Sequence, residues 1–211
     1  MGARTMAVLA AASSIYLAGC HHSTGPREAI TADTFRGSAL ASYSHHSDGG
    51  FPWSVAGGTM RGDGTGLQSV LVRRDAGFTD GWVEVLTDSV DDGGLVLRFS
   101  DNERYYLLAI RDDESPAPRD TDNLQIYRRN GPGQGGFTSI WRRNVVWPRG
   151  LARRVRFEAA GDRLSVYLDG EPMGEVREQE PLRGEGIGIR HYGASAAWVT
   201  RYREFRWRPG G

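Results

Sequence analysis

The sequence predicts an all-β domain, an antiparallel two-sheet sandwich of the jelly-roll kind. Three observations predict it. Short runs of β-branched, aromatic and leucine residues recur between turn residues at spacings of roughly eight to twelve positions. Glycine is abundant, 29 of 211 residues, and mostly separates those runs. No stretch of a dozen residues carries apolar side chains at the three-and-four spacing of an amphipathic helix.

The elements follow in order. WSVAGGTMRG (53–62) supplies an early strand. LQSVLVRR (67–74), GWVEVLTD (81–88), GLVLRFS (94–100), RYYLLAIR (104–111), NLQIYRR (123–129) and FTSIWRRN (137–144) come next, bounded by Gly, Asp and Asn. Alternation is clearest over 154–176. Val155, Phe157 and Ala159 point one way and Arg154, Arg156 and Glu158 the other. Gly161-Asp162 turns the chain, and Leu164, Val166 and Leu168 then share a face. Asp169-Gly170 turns it again, towards Met173 and Val176. GIGIRHY (186–192) and AWVTRYREFRW (197–207) close the domain. The apolar phase of the last run slips near Arg201, which predicts a bulge. The first and last strands are expected to pair or lie close, because they would otherwise leave an edge open.

The N-terminus has a different character. Arg4 precedes a short apolar run from Met6 to Leu17, too short to span a membrane, and this is the pattern of a secretory signal. Leu17-Ala18-Gly19-Cys20 follows and resembles the bacterial lipobox. That resemblance implies acylation of Cys20, the only cysteine, and removal of residues 1–19. His21 rather than Asp at the next position implies an outer-membrane destination, with the domain on the periplasmic or cell-surface side. The expected organisation is a signal peptide over 1–19, a lipidated tether over 20–34 and one sandwich over 35–208. Several acyl chains, at ~0.8 kcal/mol per buried methylene, would anchor the protein durably.

Charge excludes some partners. The chain carries 26 basic and 26 acidic residues, and every basic one is Arg. No field of one sign recruits nucleic acid.

GLVLRFSDNERYYLLAI, RVRFEAAGDRLSVYLDGE, LRGEGIGIRHYG and AWVTRYREFRW together resemble the concanavalin A-like, laminin-G-like jelly roll, and within it the bacterial branch of 3-keto-disaccharide hydrolases. The resemblance covers about residues 53 to 207. It implies an exported domain that meets carbohydrate or a partner protein, and it includes both lectin-like modules and glycoside-processing enzymes.

Catalysis finds little support in the residues. Sandwich glycosidases place carboxylates at alternate positions of one strand, as Glu-x-Asp-x-Glu. The nearest approach is Glu84-Val85-Leu86-Thr87-Asp88, whose acids lie ~13 Å apart, outside either glycosidase geometry. Gly-x-Ser-x-Gly is absent. Rim calcium, implied by the laminin-G resemblance, finds candidates in the acidic run RDDESPAPRDTDN (111–123): Asp112, Asp113, Asp120 and Asp122. No Asp-x-Asp-x-Asp-Gly loop accompanies them.

For a glycan, the expected ligands are Arg98, Tyr105, Tyr127, Trp141, Arg190 and His191. Aromatic faces would take the apolar side of a sugar ring and planar guanidinium groups its hydroxyls. If Leu95, Leu97 and Phe99 share the dry face, Arg98 projects from the opposite, concave face. Arg190 does the same beside Gly186 and Gly188, whose missing side chains would leave a groove floor. The sequence therefore favours glycan binding at the cell envelope without catalysis. Hydrolysis of a glycoside or 3-keto-glycoside is the enzyme alternative, and a structural or partner-binding module of an envelope assembly is the third.

Overall fold

The computed structural model describes residues 29–36, 39–47, 49–64, 68–100, 103–117, 122–132 and 136–210. The expected signal peptide, Cys20 and most of the expected tether lie outside them. Among the described residues, fifteen strands form two antiparallel sheets, as expected. In chain order they are β1 (Thr31–Asp33), β2 (Ser44–Ser47), β3 (Trp53–Ala56), β4 (Thr59–Asp63), β5 (Ser69–Arg73), β6 (Gly81–Val90), β7 (Gly93–Phe99) and β8 (Arg104–Ile110). There follow β9 (Leu124–Asn130), β10 (Phe137–Arg143), β11 (Arg153–Ala160), β12 (Arg163–Leu168), β13 (Glu171–Arg177), β14 (Gly186–His191) and β15 (Val199–Pro209).

One sheet runs β13-β12-β11-β6-β15-β4-β3, with β1 also paired to β15; the other runs β10-β9-β8-β7-β14-β5-β2. The first and last expected runs do pair, β4 with β15 through Met60 opposite Tyr202, and the unexpected β1 adds to β15 through Thr31 opposite Trp207 and Asp33 opposite Phe205. Pairing therefore begins at Thr31, inside the segment expected to be a tether. Phe35, fully buried, pins the entry. The early run 53–62 is a hairpin rather than one strand: Gly57 and Gly58, with φ of 56° and 74°, turn β3 into β4.

The core lies between the sheets. Leu95, Leu97, Tyr106, Leu108, Ile110, Ile126, Ile187 and Ile189 meet Val83, Val85, Val155, Phe157, Leu164, Val166, Tyr202 and Phe205. Tyr202 fastens the two layers. Its hydroxyl accepts from the Gly94 amide at 2.7 Å and donates to the Arg190 carbonyl at 2.7 Å. The slipped phase of β15 is real. Its ladder with β6 shifts register between Arg201 and Tyr202 and again between Tyr202 and Glu204. Thr200 and Tyr202 point inward before the shift, Phe205 and Trp207 after it.

A second bulge corrects the reading of β7. Arg98 sits at φ 54°, and the β14 ladder slips opposite it, between Gly186 and Gly188. The pleat reverses there. Leu95 and Leu97 face the core as expected, but Phe99 turns outward and stacks on Tyr105, ring centroids 5.3 Å apart.

Candidate functional site

The outward face of the seven-stranded sheet is where the sequence placed a ligand. Alternation along β8 sends Tyr105, Leu107 and Ala109 to that face, and Arg111 follows just past the strand end. β7 contributes Val96, β5 contributes Val70 and Val72, and β9 contributes Gln125, Tyr127 and Arg129. Both faces of β7 and β8 are thus apolar at their centre.

A polar chain crosses this face. Arg111 Nη2 donates to Asp92 Oδ2 at 3.2 Å, and Arg190 Nη1 donates to Asp92 Oδ1. Arg190 Nε donates to Gln68 Oε1 at 3.2 Å, and Gln68 Nε2 to the Tyr105 hydroxyl at 2.9 Å. Arg129 Nη1 reaches the same hydroxyl at 3.3 Å, and its Nη2 reaches Glu103 Oε2 at 2.6 Å. Burial raises the Tyr105 phenol above its ordinary range, and the Arg129 charge offsets part of that. Tyr105 therefore stays protonated.

Two polar atoms on this face have no partner. Arg111 Nε and Gln125 Oε1 are both buried and unbonded. Gln125 spends its amide on Ser139 Oγ, at 2.8 Å, which leaves its carbonyl free to accept. Because Ala109 pairs with Gln125, Arg111 is Gln125's diagonal neighbour, ~7 Å away. Ala109 keeps the floor between them low, and Tyr127 and Phe137, edge to face at 5.9 Å, form a wall. One is a donor and the other an acceptor, and a ligand hydroxyl can supply either partner. At the other end, a space of about 10 Å³ among His46, Gln68, Phe99, Tyr105 and Arg129 matches a single water.

The expected ligands divide. Tyr105, Tyr127 and Arg190 do share this face. Arg98, Trp141 and His191 do not. The bulge sends Arg98 to one end of the sandwich, where it is braced by the Thr79 carbonyl at 2.9 Å, the Gly161 carbonyl at 2.7 Å and Asp80 Oδ1 at 2.5 Å. It floors a cavity of about 420 Å³ with Pro181, Leu182 and Arg183. Trp141 follows a register shift in β10 and packs on the core edge, against Gly174 of β13. His191 continues the inward parity of Ile187 and Ile189. It is fully buried, 3.1 Å from Thr200 Oγ1 and edge-on to Trp53. Burial, helped by the Arg190 charge, lowers its pKa to about 4, so it is neutral at pH 7. The expected floor at Gly186 and Gly188 is filled: a Cβ at Gly186 would meet Phe99 and Val72, and one at Gly188 the Leu71 carbonyl at 2.1 Å.

The described acids of the run make contacts within the fold. Asp112 accepts from the Val90 amide at 2.9 Å and from Arg149, and Asp113 accepts from the Trp147 amide at 2.9 Å. Asp122 lies 3.5 Å from Arg142, and Asp120 is outside the described residues. Among the described residues, no group of three or more His, Cys, Asp or Glu is placed to hold a metal ion.

Sequence reasoning missed Arg111, Gln125, Gln68, Arg129 and Asp92. The parity that located Tyr105 extends to Arg111, so that signal was present. Gln125 needed the β8–β9 register, which no sequence pattern supplies.

The two sheets form a jelly-roll β-sandwich. No family model matches the chain, and no curated protein matches it in sequence. Solved structures match in fold at low identity. A carbohydrate-binding module, CBM66 from Bacillus subtilis, is 16% identical with a TM-score of 0.55, over 78% of this chain and 92% of that one. The Bacillus licheniformis β-glucanase is 15% identical with a TM-score of 0.59, over 86% and 98%. The metal-free Emp46p carbohydrate recognition domain is 10% identical with a TM-score of 0.59, over 85% and 95%.

Proposed function

We propose that this chain is an envelope lipoprotein whose domain binds a neutral glycan, without cleaving it, on the outward face of the seven-stranded sheet. The observation that carries the reading is that two buried atoms on this face, Arg111 Nε and Gln125 Oε1, have no partner, on residues diagonal to each other across β8 and β9. Sugar hydroxyls would satisfy both, and Tyr127 and Phe137 would take the apolar side of the ring. The fold's occurrence in a carbohydrate-binding module and a carbohydrate recognition domain supports the ligand class.

Binding is favoured over hydrolysis by the carboxylates of this face. Asp92 and Glu103 flank opposite ends of the seven-residue strand β7, whose backbone spans roughly 20 Å, and each is paired to Arg. Glycosidases need two carboxyls ~5–9.5 Å apart.

A panel of neutral oligosaccharides, with Gln125→Leu and Tyr127→Ala beside the unaltered protein, tests the reading. A binder whose affinity falls at least about tenfold in both variants, with unchanged melting temperature, supports it. Full binding by both variants, or release of reducing ends, refutes it. Intact-mass analysis of the membrane-bound protein tests the anchor. Acyl chains on Cys20 are expected, and an unprocessed N-terminus contradicts them.

A further inference from the structure

We infer a second ligand site, for an acidic saccharide unit, on the outward face of the eight-stranded sheet. Four adjacent strands build it. Ser54 pairs with Arg61, Ala56 with Thr59, and Arg61 with Arg201, so these side chains share one face with Arg203 and with Asp88 of β6. Ser54, Ala56 and Thr59 are short where their neighbours are long. They leave a depression of about 310 Å³ walled by Arg61, Arg201 and Arg203. A neighbouring depression lies across Arg203, between Arg36, Leu86 and Glu204.

The chemistry of the first depression is incomplete without a ligand. Asp88 is 8% exposed and its Oδ2 accepts from Arg203 Nη2, yet its Oδ1 is buried with no partner. An unsatisfied carboxylate oxygen calls for a hydroxyl donor. Arg203 covers it with a half-exposed side chain that can swing aside. Arg61 is paired to Asp63 at 2.9 Å. Arg201 is exposed and has no ion pair among the described residues. Its planar fork matches a carboxylate in two-point fashion. One ligand class meets both demands: a sugar bearing a carboxylate for Arg201 and a hydroxyl for Asp88 Oδ1.

The probe is D-glucuronate, with D-glucose as the neutral counterpart, titrated into the full chain and read by calorimetry. Glucuronate is expected to bind at least about tenfold more tightly than glucose, and Arg201→Gln and Asp88→Asn each to weaken it by a similar factor. Arg201 is exposed, so its variant tests the site even if Asp88→Asn unfolds. Gln125→Leu, on the opposite sheet, is expected to leave glucuronate binding unchanged. Equal binding of the two sugars, undiminished binding by Arg201→Gln, or no glucuronate binding at millimolar concentration would overturn the proposal.

Discussion

Lowering the pH from 7 to 5 should destabilise this domain chiefly through His191. The imidazole is fully buried against Trp53 and Thr200, beside the Arg190 charge, and titrates at about 4 instead of 6.5. Between those values the unfolded chain binds a proton that the folded chain refuses. Stability therefore rises with pH through this window, is fully present above ~6.5, and is lost as pH falls towards 4. The full depression corresponds to about 3 kcal/mol, of which about 2 kcal/mol falls between pH 7 and 5. At ~2 kcal/mol per molar urea, that is a drop of about 1 M in the unfolding midpoint. His45 and His46 are also lowered by burial and add to the slope, so a variant must isolate the His191 share. His191→Asn keeps a polar partner for Thr200 and removes the titration. Urea unfolding of both proteins at pH 7, 6 and 5 makes the comparison. The variant starts less stable and should show a shallower pH dependence by about 2 kcal/mol. Equal slopes in the two proteins would refute the assignment.

Three further perturbations probe the scaffold. Tyr202→Phe leaves the Gly94 amide and Arg190 carbonyl unpaired between the sheets and should cost about 1–3 kcal/mol by chemical denaturation. Gly188→Ala forces a Cβ to within 2.1 Å of the Leu71 carbonyl and should cost more than about 3 kcal/mol or prevent folding; a melting temperature unchanged from wild type would contradict the close approach. Burial pushes the Glu84 carboxyl up, but Arg206 and Arg156 outweigh it and hold the group below its ordinary range. Its stabilisation is present above ~4.3 and lost as pH falls further. Glu84→Gln should cost about 2 kcal/mol at pH 7 and flatten that acid limb.

Much of the fold was legible because alternation reports which face of a strand is buried. Val155, Phe157 and Ala159 face the core, as do Leu164, Val166 and Leu168, and Tyr105 points away from Tyr106. β1 and β2 escaped notice because three- or four-residue strands such as Thr31–Asp33 and Ser44–Ser47 are too short to show a period. The site was half legible for the same reason. Parity placed Tyr105 and Arg190 on one face, and Tyr127, chosen only as an aromatic, joins them there, but parity assumes an unbroken pleat. The left-handed residue at Arg98 breaks it in β7, and a register shift breaks it before Trp141 in β10. His191 was misplaced against its own parity, since it alternates with Arg190 and follows Ile187 and Ile189 inward. The unpaired atoms of Arg111 and Gln125 depend on cross-strand register and side-chain partners, which the sequence does not encode locally.

The most direct test of glycan recognition is nuclear magnetic resonance on the isotope-labelled protein, which observes the Arg111 Nε–H and the Gln125 side-chain amide themselves. Addition of a bound neutral oligosaccharide should shift both signals together with the Tyr127 ring, and Gln125→Leu should abolish the response. Saccharide binding that leaves all three unmoved would contradict the account.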